Sequence, residues 1–352
     1  PKPQCVTMAA IVATPVPLEQ IGKLKGPQFG SKGVACLATD GAHVYAGCRD
    51  HAIRVYDART HKLLYALGAP AGPLDVAREG HVGCVTCLKL CGRRLFSGGG
   101  DRTLRAWDVK DRGPLRKVGE HGAIVTALAV AGATLCSADA DGFVGLWDLE
   151  TLAAVGELEA KPSIYALAVV GPVLFAARGD GEAVVAWDVS TKARADAPPY
   201  AAESLLAVGK KLYLGRDDGS ISVWDASRAT PLPAAALEHG HDGCVTALAS
   251  MEGSVVVSGG EDGAVVCWDA AARTRRWATR PREGAVNGAD AIVADDSGCL
   301  FSASPMAPHV QVWSARNRAD PEPEEPEPED SLFAELEVNR RKEHLSRRRG
   351  VS

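Results

Sequence analysis

Residues 80–108 read GHVGCVTCLKLCGRRLFSGGGDRTLRAWD. Short runs in which apolar residues alternate with polar or small ones, Val85 to Leu90, Leu95 to Gly98 and Leu104 to Trp107, have the period-two pattern of strands packed between neighbouring sheets. Cys91-Gly92 and Gly100-Asp101 separate them and suit tight hairpins, as Asp141-Gly142, Asp218-Gly219 and Asp262-Gly263 do further along. A fourth run, Pro114 to Val118, completes a unit of four strands.

The Trp-Asp that ends this stretch recurs. It stands at Trp107-Asp108, Trp147-Asp148, Trp187-Asp188, Trp224-Asp225 and Trp268-Asp269, with weaker members at Tyr56-Asp57 and Trp313-Ser314. Successive aromatic positions differ by 51, 40, 40, 37, 44 and 45 residues. A fixed period of about 40 residues means one supersecondary unit repeated. Only the first interval holds an insertion, near Gly68 to Glu79, whose Pro and Gly read as a surface loop. A lone four-stranded sheet cannot bury two apolar faces, whereas sheets stacked radially bury both and leave only short edges. The expected fold is therefore all-β, a single seven-bladed propeller of four-stranded antiparallel blades, with a charged C-terminal extension. Residues 1–16 form an N-terminal extension, 17–316 the propeller, 317–330 an acidic Pro/Glu linker and 331–352 a basic tail. No strand-like segment follows Trp313, so Leu18 to Leu24 is expected to supply the outer strand of the last blade.

Composition agrees. The 37 glycines, set against 5% aromatic residues in 352 positions, suit many short strands and turns, because glycine supplies positive φ angles and costs entropy inside helices. The most apolar stretches, such as Leu167 to Ala177, are broken by Gly and Pro, so no helical membrane span is expected. Ten scattered cysteines without a secretory signal read as reduced thiols in an intracellular, soluble protein. The chain begins at Pro1, which reads as a trimmed start. Residues 1–32 carry Glu19 against Lys2, Lys23, Lys25 and Lys32, a weak likeness to an organellar presequence that lacks its usual Arg. The cytoplasm or nucleus is the expected location, an organelle the alternative.

Gly80-His81, Gly240-His241 and the looser Glu120-His121 open units that Trp-Asp closes. In this the sequence resembles the WD-repeat family. The resemblance implies that a His, Ser, Asp and Trp in each blade are hydrogen-bonded together. By match of spacing these are His81, Ser97, Asp101 and Trp107 in the second blade, His121, Ser137, Asp141 and Trp147 in the third, and His241, Ser258, Asp262 and Trp268 in the sixth. The other blades depart from the pattern. The first has Asp50 and Tyr56 with Ala46 at the Ser position; the fourth has Asp180 and Trp187 one residue too far apart; the fifth has Asp218 and Trp224 but Leu214; the last keeps only Trp313.

Cys84, Cys87 and Cys91 invite a zinc reading. Aligned with Ala123 to Leu128 and Cys244 to Leu248, however, cysteine exchanges with Ala and Ile along one core strand, which makes it a small buried hydrophobe. The His, Asp and Ser of the repeats superficially match an acyl-transfer triad, but three copies of one spacing argue for architecture. Neither a nucleophile elbow nor a phosphate-binding loop is present. No enzymatic activity, cofactor, metal or small-molecule substrate is expected.

Family propellers usually bind partners with one face, and there the turns before the Trp-Asp strands carry Arg49, His51, Arg102, Arg178, Arg216, Asp217 and Glu261. Arginine is enriched at interface hot spots, so these form a candidate protein-binding face. Tyr56-Asp57-Ala58-Arg59 resembles the short box of propellers that serve cullin-type ubiquitin ligases, with Trp107-Asp108-Val109-Lys110 a looser version.

Residues 320–337 hold nine acidic residues and no basic one, with repeated prolines, the composition of an extended, self-repelling linker. Beyond it, Ser331 can cap a helix bearing Leu332, Phe333 and Leu336, followed by Arg340, Arg341, Lys342, Arg347, Arg348 and Arg349, a docking segment for protein or RNA. The whole chain carries −5 and residues 320–352 carry −4 of it, which leaves the ring no global basic field. The reading is a non-catalytic scaffold subunit of a multiprotein or ribonucleoprotein assembly. Its alternatives are a substrate receptor of a cullin-type ubiquitin ligase, and an RNA- or ribosome-associated protein acting through the tail.

Overall fold

All seven expected sheets form in a computed structural model of the chain, which describes residues 19–24, 33–68, 80–179, 181–227, 230–237, 240–251, 255–279, 289–295, 298–304 and 310–314. The extension 1–16, the loop expected up to Glu79, Asp180, the linker and the whole tail, including Leu332, Phe333, Leu336, Arg340, Arg341, Lys342 and Arg347 to Arg349, lie outside the described residues.

Each sheet is a four-stranded antiparallel meander. Blade 2 runs Val85–Cys91, Arg94–Gly99, Thr103–Asp108 and Gly113–Glu120 from the centre outward. Blade 3 repeats this order with Val125–Ala131, Thr134–Asp139, Phe143–Asp148 and Ala154–Glu159. In blade 7, Ala291–Ala294, Cys299–Ala303 and Val310–Ser314 are joined by Glu19–Leu24, which pairs antiparallel with Val310–Ser314 and sets Gln20 against Trp313 and Leu24 against Val310. The first strand among the described residues thus completes the last blade.

Apolar packing lies in the seams between blades. Phe96 and Leu104 of blade 2 pack against Val125, Leu135 and Trp147 of blade 3, and Cys136, Val144 and Leu146 of blade 3 against Ile164, Leu174 and Trp187 of blade 4. The same arrangement recurs at every seam, including the closing one, where Leu24, Phe301, Val310 and Val312 meet Val34, Val44 and Tyr56 of blade 1. The aromatic that ends each blade's third strand therefore serves as the plug of a seam. Hydroxyls on the inner strands add directional ties, since Thr246 donates to Ala289 O at 3.1 Å and Ser204 to Val245 O at 2.7 Å, each in the next blade.

Two buried cysteines of the inner strands lie close to the next blade. Cys36 and Cys87 lie 3.5 and 3.8 Å from the carbonyls of Val85 and Val125 in the following blade. A Cβ at Gly98 would run into both Val125 and the sulfur of Cys87, so Gly98 admits no side chain without a shift of its neighbours. Burial pushes the Cys87 thiol up to about 12, so the free group rests as a neutral thiol.

Leu24 is fully buried while its neighbour Lys23 is exposed. Leu24→Ala should lower the unfolding free energy by about 2–5 kcal/mol, and Lys23→Ala should stay within about 0.5 kcal/mol; urea denaturation midpoints of the two variants check this.

Candidate interaction face

In blade 2 the Trp107 indole N–H donates to Ser97 Oγ at 2.8 Å, Ser97 Oγ lies 2.7 Å from His81 Nε2, and His81 Nδ1 lies 2.9 Å from Asp101 Oδ1. This chain joins the second and third strands to the loop that enters the blade and to the hairpin turn, so four segments share one network. Asp101 also accepts the backbone N–H of Val82 and the Thr103 hydroxyl, both at 2.9 Å. Blade 6 repeats the chain, with Trp268 to Ser258 at 2.9 Å, Ser258 to His241 at 2.8 Å and His241 to Asp262 at 3.0 Å.

Blade 3 differs from the spacing. Trp147, Ser137 and His121 are linked at 2.8 and 2.7 Å, but the carboxylate on His121 Nδ1 is Asp139, at 3.1 Å, and not Asp141. Asp139 ends the second strand and is buried, and its other oxygen accepts the N–H groups of Asp141 and Phe143. It therefore caps the turn and binds the histidine at once, which leaves Asp141 on the surface.

A Ser, His and Asp in this order have the connectivity of a hydrolytic triad. Ser97, Ser137 and Ser258 are nonetheless fully buried, and each hydroxyl oxygen already accepts an indole N–H. An acyl group has no path to them.

In blade 4, which lacks the histidine, an arginine makes the same linkage. Arg178 of blade 4 donates to Ala160 O and Lys161 O of the entering loop, at 3.5 and 3.1 Å, and through Nε to Ala183 O beyond the hairpin turn, at 2.8 Å. It is thus largely engaged inside its blade and leaves the candidate face. In blade 1 Arg54 forms a bidentate pair with Asp50, at 2.9 and 2.6 Å, the fork-to-fork geometry that guanidinium favours. Blade 7 has a serine missed by spacing, because Ser302 accepts from Trp313 at 2.8 Å from eleven residues away where the other blades use ten. In blade 5, where Leu214 fills the Ser position, the Trp224 N–H is buried without a partner among the described residues.

The hairpin turns after each second strand and the loops entering each first strand lie together, joined by backbone bonds such as Gly100 N to Cys84 O and Glu261 N to Cys244 O. This end of the ring carries Arg49, His51, Arg102, Arg216, Asp217 and Glu261. Arg49 and Arg102 are exposed, and Arg102 keeps only a long 3.5 Å bond to Gly122 O. His51 and Arg102 hold positive φ angles of 78° and 63°. Arg216 lies 5.7 Å over the Tyr200 ring and pairs with Asp218.

Sequence reasoning named Asp217 and Glu261 on this face but missed two further carboxylates beside them. At the mouth of a central channel of about 260 Å³, Glu203 and Asp290 line the wall beside Tyr165, which is 44% exposed. Burial, then the charges of Asp217 and Glu261, raise the Glu203 carboxyl. Burial, with Glu261 nearby, also raises Asp290, against the hydrogen bonds of Thr246 and Ser304. Cys244, in the midst of these groups, is pushed up to about 12 by burial and by the four carboxylates. Val82, Ile124, Tyr165 and Tyr200 expose apolar surface on successive blades of the same end. No single motif marks these positions, because they are separate loop residues that only the ring brings together.

Three segments, residues 18–57, 74–108 and 235–269, match the family model of the WD domain, G-beta repeat. The chain is a WD-repeat β-propeller protein. It is similar to the cell division control protein 4 of Saccharomyces cerevisiae, 38% identical over 78 residues that make up 22% of this chain and 9% of that protein. It is also similar to the ribosome biogenesis protein WDR12 homolog of Chlamydomonas reinhardtii, 33% identical over 99 residues, 26% of this chain and 21% of the other. The matched parts thus span about a tenth and a fifth of these relatives. Among solved structures, that of U3-55K has a TM-score of 0.68 at 17% identity, covering 84% of this chain and 98% of that one. The RRP9 WD40 repeats give the same score and identity over 85% and 97%. At such identities the structural likeness speaks for the fold.

The WD-repeat turn at Tyr56 to Arg59 has the backbone N–H groups of Arg59 and Thr60 on the Asp57 carboxylate, and the same turn follows Asp108, Asp148, Asp188 and Asp269. It is a shared element of the repeat and adds no separate sign of a ligase role.

Two measurements test the WD-repeat network. Trp107→Phe removes a made hydrogen bond and Trp224→Phe an unmade one, so the first should cost about 1–2 kcal/mol more, read as the difference in denaturation midpoints. Burial raises the Asp101 carboxyl, but the His81 hydrogen bond and charge, the Val82 N–H and the Thr103 hydroxyl outweigh it and hold the group well below the usual range. A depressed folded value gives stability that is full above the unfolded value of about 3.9 and lost as pH falls through the folded one. Asp101→Asn should therefore be less stable than wild type at pH 7, and the gap should narrow in acid below pH 4; an unchanged gap would count against the pairing.

Proposed function

We propose that this WD-repeat protein is a non-catalytic interaction platform in a multiprotein or ribonucleoprotein assembly, and that its partner seats on the end of the ring just described. The observation that carries this reading is the charge pattern of that end: exposed Arg49 and Arg102 on blades 1 and 2, Glu203, Asp217, Glu261 and Asp290 gathered on blades 5 to 7, and exposed Tyr165 and Tyr200, the latter under Arg216, on the arc from blade 4 to blade 5. Such a surface sets the orientation of a partner by charge and gains affinity from aromatic contact. The buried serines of the triad-like networks support the absence of catalysis at those groups. The likeness to a ribosome biogenesis protein supports an assembly that contains RNA, and the basic segment 331–352 is proposed as a tethered second contact, which would multiply the affinity of the first.

The test is quantitative recovery of partners from native extract with tagged protein. Arg49→Glu with Arg102→Glu should reduce recovery of the specific partner set at least about tenfold, while the ring melts as before. Deleting residues 331–352 should weaken recovery and retain the fold. Undiminished recovery by the face variant would overturn the assignment of the face; undiminished recovery by the deletion would overturn the role of the tail.

A further inference from the structure

Charge is spread unevenly around the ring. Blade 2, residues 80–120, holds nine basic and four acidic residues, net +5, while blade 3, residues 121–160, holds six acidic residues and no basic one, net −6. The two stand side by side. Their outermost strands carry the contrast outward: Gly113–Glu120 presents exposed Arg116 and Lys117, and Ala154–Glu159 presents exposed Glu157 and Glu159. The basic strand even sets like charges together, since Arg105 and Lys117 are direct cross-strand partners, a costly arrangement. The contacts described across this seam do not join these opposite charges. Arg94 donates to the backbone carbonyl of Leu149, and Arg116 to that of Leu152 at 3.4 Å.

The same strands expose apolar side chains at one height. Leu115 follows the residue paired with Trp107, and Val155 follows the residue paired with Trp147; they are 45% and 47% exposed. Leu64 holds this position in blade 1 at 44%, whereas blades 4 and 6 place Ala195 and Arg276 there. Thus three of the seven exposed large apolar residues among those described sit at one level of one flank.

We propose that this outer flank binds a second copy of the chain through a two-fold axis running along the seam between blades 2 and 3. Rotation about that axis sets the basic strand of one copy against the acidic strand of the other, twice. Because it preserves height along the seam, it also brings Leu115 opposite Val155 of the second copy. An adjacent positive and negative stripe is self-complementary under this operation, as a closed two-fold interface requires. A nucleic-acid backbone suits the flank poorly, since the −6 blade would repel phosphates beside the basic one. This contact is distinct from the partner face at the end of the ring.

Sedimentation equilibrium of the full chain at low and high ionic strength tests the proposal. Wild type should form a dimer that salt weakens. Reversing one stripe, as Arg116→Glu with Lys117→Glu, or the other, as Glu157→Lys with Glu159→Lys, should weaken self-association at least about tenfold. An equimolar mixture of the two reversed proteins should associate again as a heterodimer, which also shows that both remain folded. A wild-type monomer at every concentration and salt, or reversed variants that dimerise as wild type does, or a mixture that stays monomeric, would overturn it.

Discussion

A four-stranded sheet with apolar side chains on both faces has nowhere to hide them except against sheets like itself. Every other feature of this protein depends on that constraint. In each seam the faces of two blades meet over aliphatic residues and the aromatic of a third strand, and the closing seam is built the same way from Leu24, Val310 and Val312 against Val34, Val44 and Tyr56. Closure by the first described strand means that the ring's weakest covalent point is bridged by ordinary sheet hydrogen bonds and by a fully buried leucine. A stack of repeats left open would retain two bare faces, and its stability would be a sum of local terms; a closed ring leaves none.

The polar networks serve the same end from inside each blade. A buried Trp N–H needs an acceptor, because an unmet buried donor costs about 1–3 kcal/mol, and the serine that accepts it is in turn held by a histidine anchored on the turn. In blade 4, where the histidine is missing, Arg178 makes the tie. The chemistry is thus dictated by the place, a donor-rich group joining loop to hairpin, more than by the identity of the residue. This also explains why groups with the connectivity of a catalytic triad are inert here, since their burial is what they are for.

The period of about 40 residues, ended each time by an aromatic, made the ring and its blade number legible, because register in a two-sided sheet leaves little freedom. The closing strand was legible for a related reason: a blade short of one strand must borrow it. Less could be read where two residues of one type compete. Asp139 ends the second strand and Asp141 follows two residues later in the turn, and only the depth of the first decides between them. Ser302 escaped notice because one extra residue separates it from Trp313. Arg178, counted as a surface residue from its turn position, folds back on the carbonyls of its own blade. The acidic mouth formed by Glu203 and Asp290 and the charge contrast of blades 2 and 3 have no local signature, since both arise from residues that meet only when distant segments are arranged around one axis.

Native-state hydrogen exchange measures the central claim directly. If all seven seams form one closed structure, amides of Glu19–Leu24 and Val310–Ser314 should exchange with the same opening free energy as those of inner strands such as Val125–Ala131, all through global unfolding. Exchange of the Glu19–Leu24 pairing and blade 7 far faster than the rest, through separate local opening, would contradict a ring held shut by that strand.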